Sequence, residues 1–271
     1  MISNSRILHI NSDDRISGTA SNFTWSYKKS GDEVYDRVCL LSASIPLSYY
    51  LIQDGYNTFQ LRENVTTVTI TVPAGNYNTT SFATTVSALL TASSPTSFVY
   101  AISMNNIFTT VNTGKFRFTV TNNAGVQPSF IFGSSSLNEQ FGFSSNSTVT
   151  FSASVLNSTN VCSFIPEQTL FIHSDLVKTD KNNSDGILQE LYTSNTTPYS
   201  CITYQATAVE AYSKEIKNNK TNTFSIILQN ENNEPIQLNG RNMNITIILY
   251  KSNDFYDYIK KFIKYSLLSE N

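Results

Sequence analysis

Leu8-His9-Ile10-Asn11-Ser12-Asp13-Asp14-Arg15, followed by Asn22-Phe23-Thr24-Trp25, is the stretch that decides the fold. Leu8 and Ile10 flank a polar residue, a short acidic segment follows, and Phe23 and Trp25 repeat the alternation. That is strand, turn, strand, with side chains at every second position on one face. Outward from it the same pattern recurs. Lys115-Phe116-Arg117-Phe118-Thr119-Val120 alternates cleanly between Gly114 and Asn122-Asn123, and Val65, Val68, Ile70 and Val72 interleave with threonines until Pro73. The spacing predicts strands over 6–10, 23–27, 34–43, 58–62, 65–72, 98–102, 107–111, 116–121, 129–132 and 148–151. In the second half it predicts 169–172, 201–204, 224–228 and 243–249. Many short strands, Asn/Asp/Ser loops and no fixed-period repeat define an all-β sandwich or barrel.

Helices are few. Phe82, Val86, Leu89 and Leu90 form one apolar stripe, so a helix is expected over 79–91, started by Asn78 or Thr79 and stopped by Ala92-Ser93-Ser94-Pro95. A short turn is expected near 186–192. At the end of the chain, Phe255, Tyr258, Ile259, Phe262 and Ile263 make a second stripe flanked by Lys260, Lys261 and Lys264. That 255–268 helix suits a cover for its own sheet, an arm laid on a neighbouring subunit, or a membrane-surface contact.

Composition narrows the function. Only 14% of the 271 residues are charged and the net charge is −2, which is unlike the clustered basic surface that nucleic acid requires. Lys214, Lys217 and Lys220 gather, but with acidic residues among them. The surface is built of Asn, Ser and Thr, with aromatics at 12%. Triplets of the Asn-x-Ser/Thr type, at Asn22, Asn64, Asn78, Asn157, Asn195 and Asn244, follow by chance from such a composition. The first residues are polar and strand-like rather than a signal peptide. Cys39, Cys162 and Cys201 are odd in number and widely spaced, fitting free thiols and synthesis in a reducing cytoplasm. No apolar run approaches the roughly 20 residues of a membrane-spanning helix.

The residues for catalysis are sparse, and the expectation is a protein that is not an enzyme, with no catalytic, cofactor or metal site. Two histidines, His9 and His173, are too few for a multi-histidine metal site. His173 stands near Asp175 without a nucleophile context. Asp13 and Asp14 beside Arg15 suit a turn cap and a surface ion pair. Asp180-Lys181-Asn182-Asn183-Ser184-Asp185-Gly186 resembles the start of a calcium loop. Its glycine comes one residue late and Glu190 one residue early, so a solvated turn is expected. Gly-x-Ser-x-Gly, Gly-x-Gly-x-x-Gly and P-loop motifs do not occur.

Several segments together carry a likeness. They are Asp13-Asp14-Arg15, Ser44-Ile45-Pro46-Leu47-Ser48-Tyr49-Tyr50, Pro73-Ala74-Gly75-Asn76-Tyr77, Leu137-Asn138-Glu139-Gln140-Phe141-Gly142-Phe143 and Leu238-Asn239-Gly240. In that order the chain resembles the penton, or minor capsid, proteins of virophages, polinton-like viruses and related large icosahedral DNA viruses. The resemblance implies a single jelly roll over 1–72 and 152–271, with an insertion domain over 73–151 and Leu238-Asn239-Gly240 leading into the last core strand. It also implies a homopentamer at the capsid vertices of the virion, contacting the major capsid protein and other minor capsid or fibre proteins. The competing expectation is a β-sandwich glycan-binding or fibre-head attachment module, with Tyr49, Tyr50 and Tyr56 beside Asn57 as ligand groups.

Overall fold

The computed structural model describes residues 4–29, 33–107, 111–134, 137–164, 169–178, 186–193, 200–218, 222–252 and 259. The chain forms two compact units. The first joins Met1–Tyr49 with Glu167–Asn271, and the second is Tyr50–Pro166.

In chain order, the first unit begins with Asn4–Asn11 (β1), Ser17–Gly18 (β2), Asn22–Ser26 (β3) and Arg37–Pro46 (β4). The second unit follows with Thr58–Glu63 (β5), Thr66–Thr71 (β6), Thr79–Ser93 (α1), Val99–Ile107 (β7), Val111–Thr121 (β8) and Ser129–Ile131 (β9). It ends with Leu137–Phe141 (α2), Thr148–Thr150 (β10) and Val155–Asn157 (β11). The first unit resumes with Thr169–Ser174 (β12), Ile187–Tyr192 (β13), Cys201–Gln205 (β14), Val209–Tyr212 (α3), Lys214–Glu215 (β15), Thr223–Gln229 (β16) and Asn244–Lys251 (β17).

The first unit contains two antiparallel sheets, β1-β17-β4-β14 and β13-β12-β16-β3-β2, with β15 adding to the edge of β4. Setting aside the two-residue strands β2 and β15, the strands order themselves first-eighth-third-sixth in one sheet and second-seventh-fourth-fifth in the other. Interleaved ordering of this kind is the double Greek key of a jelly roll. The alternation explains why the sheets face each other. Leu8, Ile10, Val38, Leu40, Ile45, Ile202, Ile245, Ile247 and Leu249 share one core with Phe23, Leu170, Ile172, Leu188, Phe224, Ile226 and Leu228. Removing each such side chain from water contributes about 1.5–3 kcal/mol. On the other face of β4 and β17, Cys39, Ile248 and Tyr250 are buried with Leu41, Ala206 and Val209, so α3 and the chain leading to it cover that side.

The second unit pairs β10-β9-β5-β6 in one sheet and β11-β8-β7 in another. Its core is unusually aromatic: Phe59, Phe82, Phe116, Phe118, Phe130, Phe132, Phe141, Phe143 and Phe151 lie in one cluster. Phe118 and Phe141 stack with centroids 5.7 Å apart and planes 6° from parallel. Helix α1 contributes Phe82, Ala83, Val86 and Leu90, and Asn78 and Ser81 form a reciprocal capping box at its start.

Most expected strands form, and several expectations are corrected. The region 186–192 is the strand β13 rather than a helical turn, because Leu188 and Leu191 fill the sandwich core while β13 pairs with β12. Helices α2 and α3 arise where none was expected. The segment 107–111 is not a strand of its own: Ile107 and Val111 pair as the facing ends of β7 and β8. The second unit extends beyond 73–151 on both sides. Hydrogen bonding of β5 with β9, and of β11 with β8, draws those strands into it. Apart from Ile259, the expected 255–268 helix lies outside the described residues, as does the Asp180–Asp185 part of the calcium-like loop.

Candidate functional site

Three of the segments that carried the sequence likeness converge at one end of the jelly roll. After β1, Asn11 accepts from the Asp13 amide at 2.8 Å and caps a single 3-10 turn, Ser12–Asp14. Ser12 is fully buried. Its amide donates to the Met243 carbonyl at 3.0 Å, its hydroxyl donates to Asn242 Oδ1 at 3.2 Å, and that hydroxyl accepts from the Met243 amide at 3.0 Å. Arg15 turns back on the same loop, donating to the Ser12 carbonyl at 2.7 Å and the Gly18 carbonyl at 3.2 Å. Arg15 therefore pins a loop, and Asp13 and Asp14 stay exposed.

Leu238-Asn239-Gly240-Arg241 is a tight turn closed by the Arg241 amide on the Leu238 carbonyl at 3.0 Å. Asn239 and Gly240 have φ of 48° and 79°, the left-handed pair that an Asn-Gly type I′ turn uses. Ser48 completes the junction. Its hydroxyl donates to the Leu238 carbonyl at 2.7 Å, and its carbonyl accepts from Asn239 Nδ2 at 2.7 Å. Nearby, Asn230 is buried and accepts from the Glu234 and Asn232 amides while donating to the Glu234 carboxylate at 3.0 Å. This end is a hydrogen-bonded platform of loops, and the chain leaves it after β4 to enter the second unit.

Clefts open elsewhere among the described residues. One, of about 480 Å³, lies in the second unit and is lined by Tyr56, Thr58, Gln60, Thr69 and Ser134 among others. Another, of about 550 Å³, runs between the edge strands β13 and β14 of the first unit. Of the residues the competing glycan-binding reading would use, Tyr50 is exposed. Tyr49 is buried in the first unit's core, and Asn57 is buried with its amide donating to the Val72 carbonyl at 2.8 Å.

The remaining singled-out residues have structural surroundings. His9 is exposed on β1, with Nδ1 3.1 Å from the Thr246 hydroxyl. Asp175 accepts from the Ser225 amide at 2.7 Å. Cys39, Cys162 and Cys201 are free thiols, and burial pushes the Cys39 thiol above its ordinary pKa. Among the described residues, no group of three or more His, Cys, Asp or Glu side chains is placed to hold a metal, and no helix is long and apolar enough to cross a membrane.

One polar cluster escaped the sequence reading. Glu63 is fully buried. Its carboxylate accepts from the Ser94 hydroxyl at 2.8 Å, the Tyr100 hydroxyl at 2.7 Å, the Thr96 amide at 3.1 Å and the Thr96 hydroxyl. Ser94, within the Ala92-Ser93-Ser94-Pro95 stop after α1, was the visible part of it; the carboxylate that it meets is 31 residues away.

No family model matches the sequence, and no curated protein matches it. Among solved structures, the chain is similar to the mavirus penton protein, with 13% identity and a TM-score of 0.44, over 92% of this chain and 100% of that one. The double Greek key stands on the strand order alone.

Proposed function

We propose that the protein is a structural capsid protein of the penton type, a homopentamer that closes the fivefold vertices of an icosahedral virion against the major capsid protein. The observation that carries this reading is the meeting of the Ser12–Arg15, Ser48 and Leu238–Gly240 segments at one end of a jelly roll. Segments that resemble a penton signature in the sequence are, in three dimensions, one junction. The second unit, carried between β4 and β12, takes the part of the insertion domain in this reading. A low-charge surface of Asn, Ser, Thr and Tyr suits repeated polar contacts that desolvate few ions. A ring of five closes through unlike patches, head to tail.

The test is the protein's place in purified particles together with its mass in solution. Density for this chain at the fivefold positions, and a pentamer by sedimentation or mass photometry, is the expected result. Density elsewhere in the particle, or a protein absent from particles, overturns the assignment.

A further inference from the structure

Strands β13 and β14 are edge strands of opposite sheets, and each lines one wall of the cleft of about 550 Å³ over four consecutive residues, 189–192 and 202–205. Helix α3 brings Tyr212 to the same cleft. Two rings there are strongly exposed, Tyr192 at 70% and Tyr212 at 45%. The Glu190 carboxylate beside it raises the Tyr192 phenol above its ordinary pKa. A third ring, Tyr204, belongs to the lining, and its hydroxyl is buried without a hydrogen-bond partner. Buried polar atoms of that kind are uncommon in folded proteins and often mark a place for a water or a ligand.

The chemistry of the lining selects a ligand class. Among the described lining residues there is no lysine, arginine or histidine, and Glu190 is the single charge. Phosphate, sulfate and carboxylate ligands find no cation there and meet a carboxylate instead. A lipid tail finds too many polar groups. Thr203, Gln205 and Thr207 make no side-chain hydrogen bond among the described residues, so their donors and acceptors are available. Exposed aromatic faces beside uncommitted amide, hydroxyl and carboxylate groups match a ligand with apolar C–H faces and a rim of hydroxyls. The volume lies within the range of small-ligand sites.

We infer that this cleft binds a neutral carbohydrate of one or two rings, stacked on Tyr192 and Tyr212 and hydrogen-bonded by Glu190 and Gln205. The site lies wholly within the jelly-roll unit and does not depend on the capsid reading. It gives the protein a recognition role beside any structural one.

The experiment uses the full chain and saturation-transfer NMR, followed by titration calorimetry. The probes are the methyl glycosides of glucose, galactose, mannose, fucose, N-acetylglucosamine and N-acetylgalactosamine, with sialic acid as the anionic control. At least one neutral glycoside should bind saturably and sialic acid should not. Tyr192→Ala and Tyr212→Ala should each weaken that glycoside at least about tenfold, the equivalent of 1.4 kcal/mol. Tyr204→Phe, which removes one hydroxyl and keeps the ring, should weaken it several-fold without lowering the unfolding temperature. The inference is overturned if no neutral glycoside binds, if only sialic acid binds, or if all three variants bind as the parent does. It is equally overturned if Tyr192→Ala changes the solution mass while glycosides never bind, since the cleft is then a contact between copies.

Discussion

Ser12 and Met243, 231 positions apart, exchange two hydrogen bonds, amide to carbonyl in one direction and amide to side-chain hydroxyl in the other. The buried Ser12 hydroxyl thus does what a backbone carbonyl would do in a continuing ladder. It extends the β1–β17 pairing past its last register pair, Asn11 with Asn244, into the loops. Ser12→Ala leaves the Met243 amide unpartnered in a dry site, and a loss of about 1–3 kcal/mol is expected. Urea unfolding measures it; a change below about 0.5 kcal/mol is incompatible with that role.

Glu63→Ala strands the Tyr100 hydroxyl, the Ser94 hydroxyl and the Thr96 amide and hydroxyl in the second unit. Several buried donors without an acceptor should cost about 3 kcal/mol or more. Glu63→Gln keeps an acceptor oxygen and should cost less. Comparing the two variants by thermal unfolding separates the loss of acceptors from the loss of charge; equal destabilisation is the result that contradicts the account.

Burial, assisted by its hydrogen bond to Glu63, pushes the Tyr100 phenol far above its ordinary pKa of 10.0. The folded state therefore keeps a proton that the unfolded chain gives up above about pH 10. Stability from this group is full below that pH and falls as pH rises past it, by about 1.4 kcal/mol per unit. Tyr100→Phe should be less stable than the parent at neutral pH and have a shallower alkaline decline. Denaturant midpoints from pH 8 to 11.5 give both quantities, and parallel declines would exclude the linkage.

Phe224 is almost fully buried, with its ring 5.8 Å from Trp25 and 6.5 Å from Tyr27. Phe224→Ala should cost about 3–5 kcal/mol through lost transfer energy and a residual cavity. Tryptophan fluorescence follows it directly, because Trp25 loses its neighbour.

Gly142 follows α2 with φ of 73°, and a Cβ there would lie 2.6 Å from the Asn160 carbonyl oxygen. Both the left-handed backbone and the close approach require glycine. Gly142→Ala should destabilise the second unit by about 1–3 kcal/mol, with limited proteolysis showing the earlier opening.

The sequence made the all-β class legible because its strands are amphipathic. Lys115 to Val120 shows the period of two, and Phe116, Phe118 and Val120 are indeed buried. Helix α1 was legible for the matching reason, a stripe with a cap and a stop. β13 was hidden because Leu188 and Leu191 are three apart, the spacing of a helix. A register shift in the β12–β13 pairing, opposite Ile172 and His173, lets both reach the core. Helix α3 was hidden because its four residues bury nothing fully; it exists to cover Cys39 and Ile248 on another strand pair. The candidate cleft was invisible for the same reason as the Glu63 cluster. Tyr192, Tyr204 and Tyr212 come from three elements, and only the interleaved strand order brings them together.

That strand order also dictates a timetable for a chain emerging from the ribosome. Among the described residues β1 has β17 as its sheet partner, Asn4 pairing with Lys251, so β1 waits for that partner until everything between the two strands has been made. The second unit needs nothing made after Pro166 and can fold while the first is still incomplete. A nascent chain stalled shortly after the second unit has emerged should therefore hold one finished body beside exposed, unmatched strands, the state in which polypeptides are most prone to aggregate or recruit chaperones.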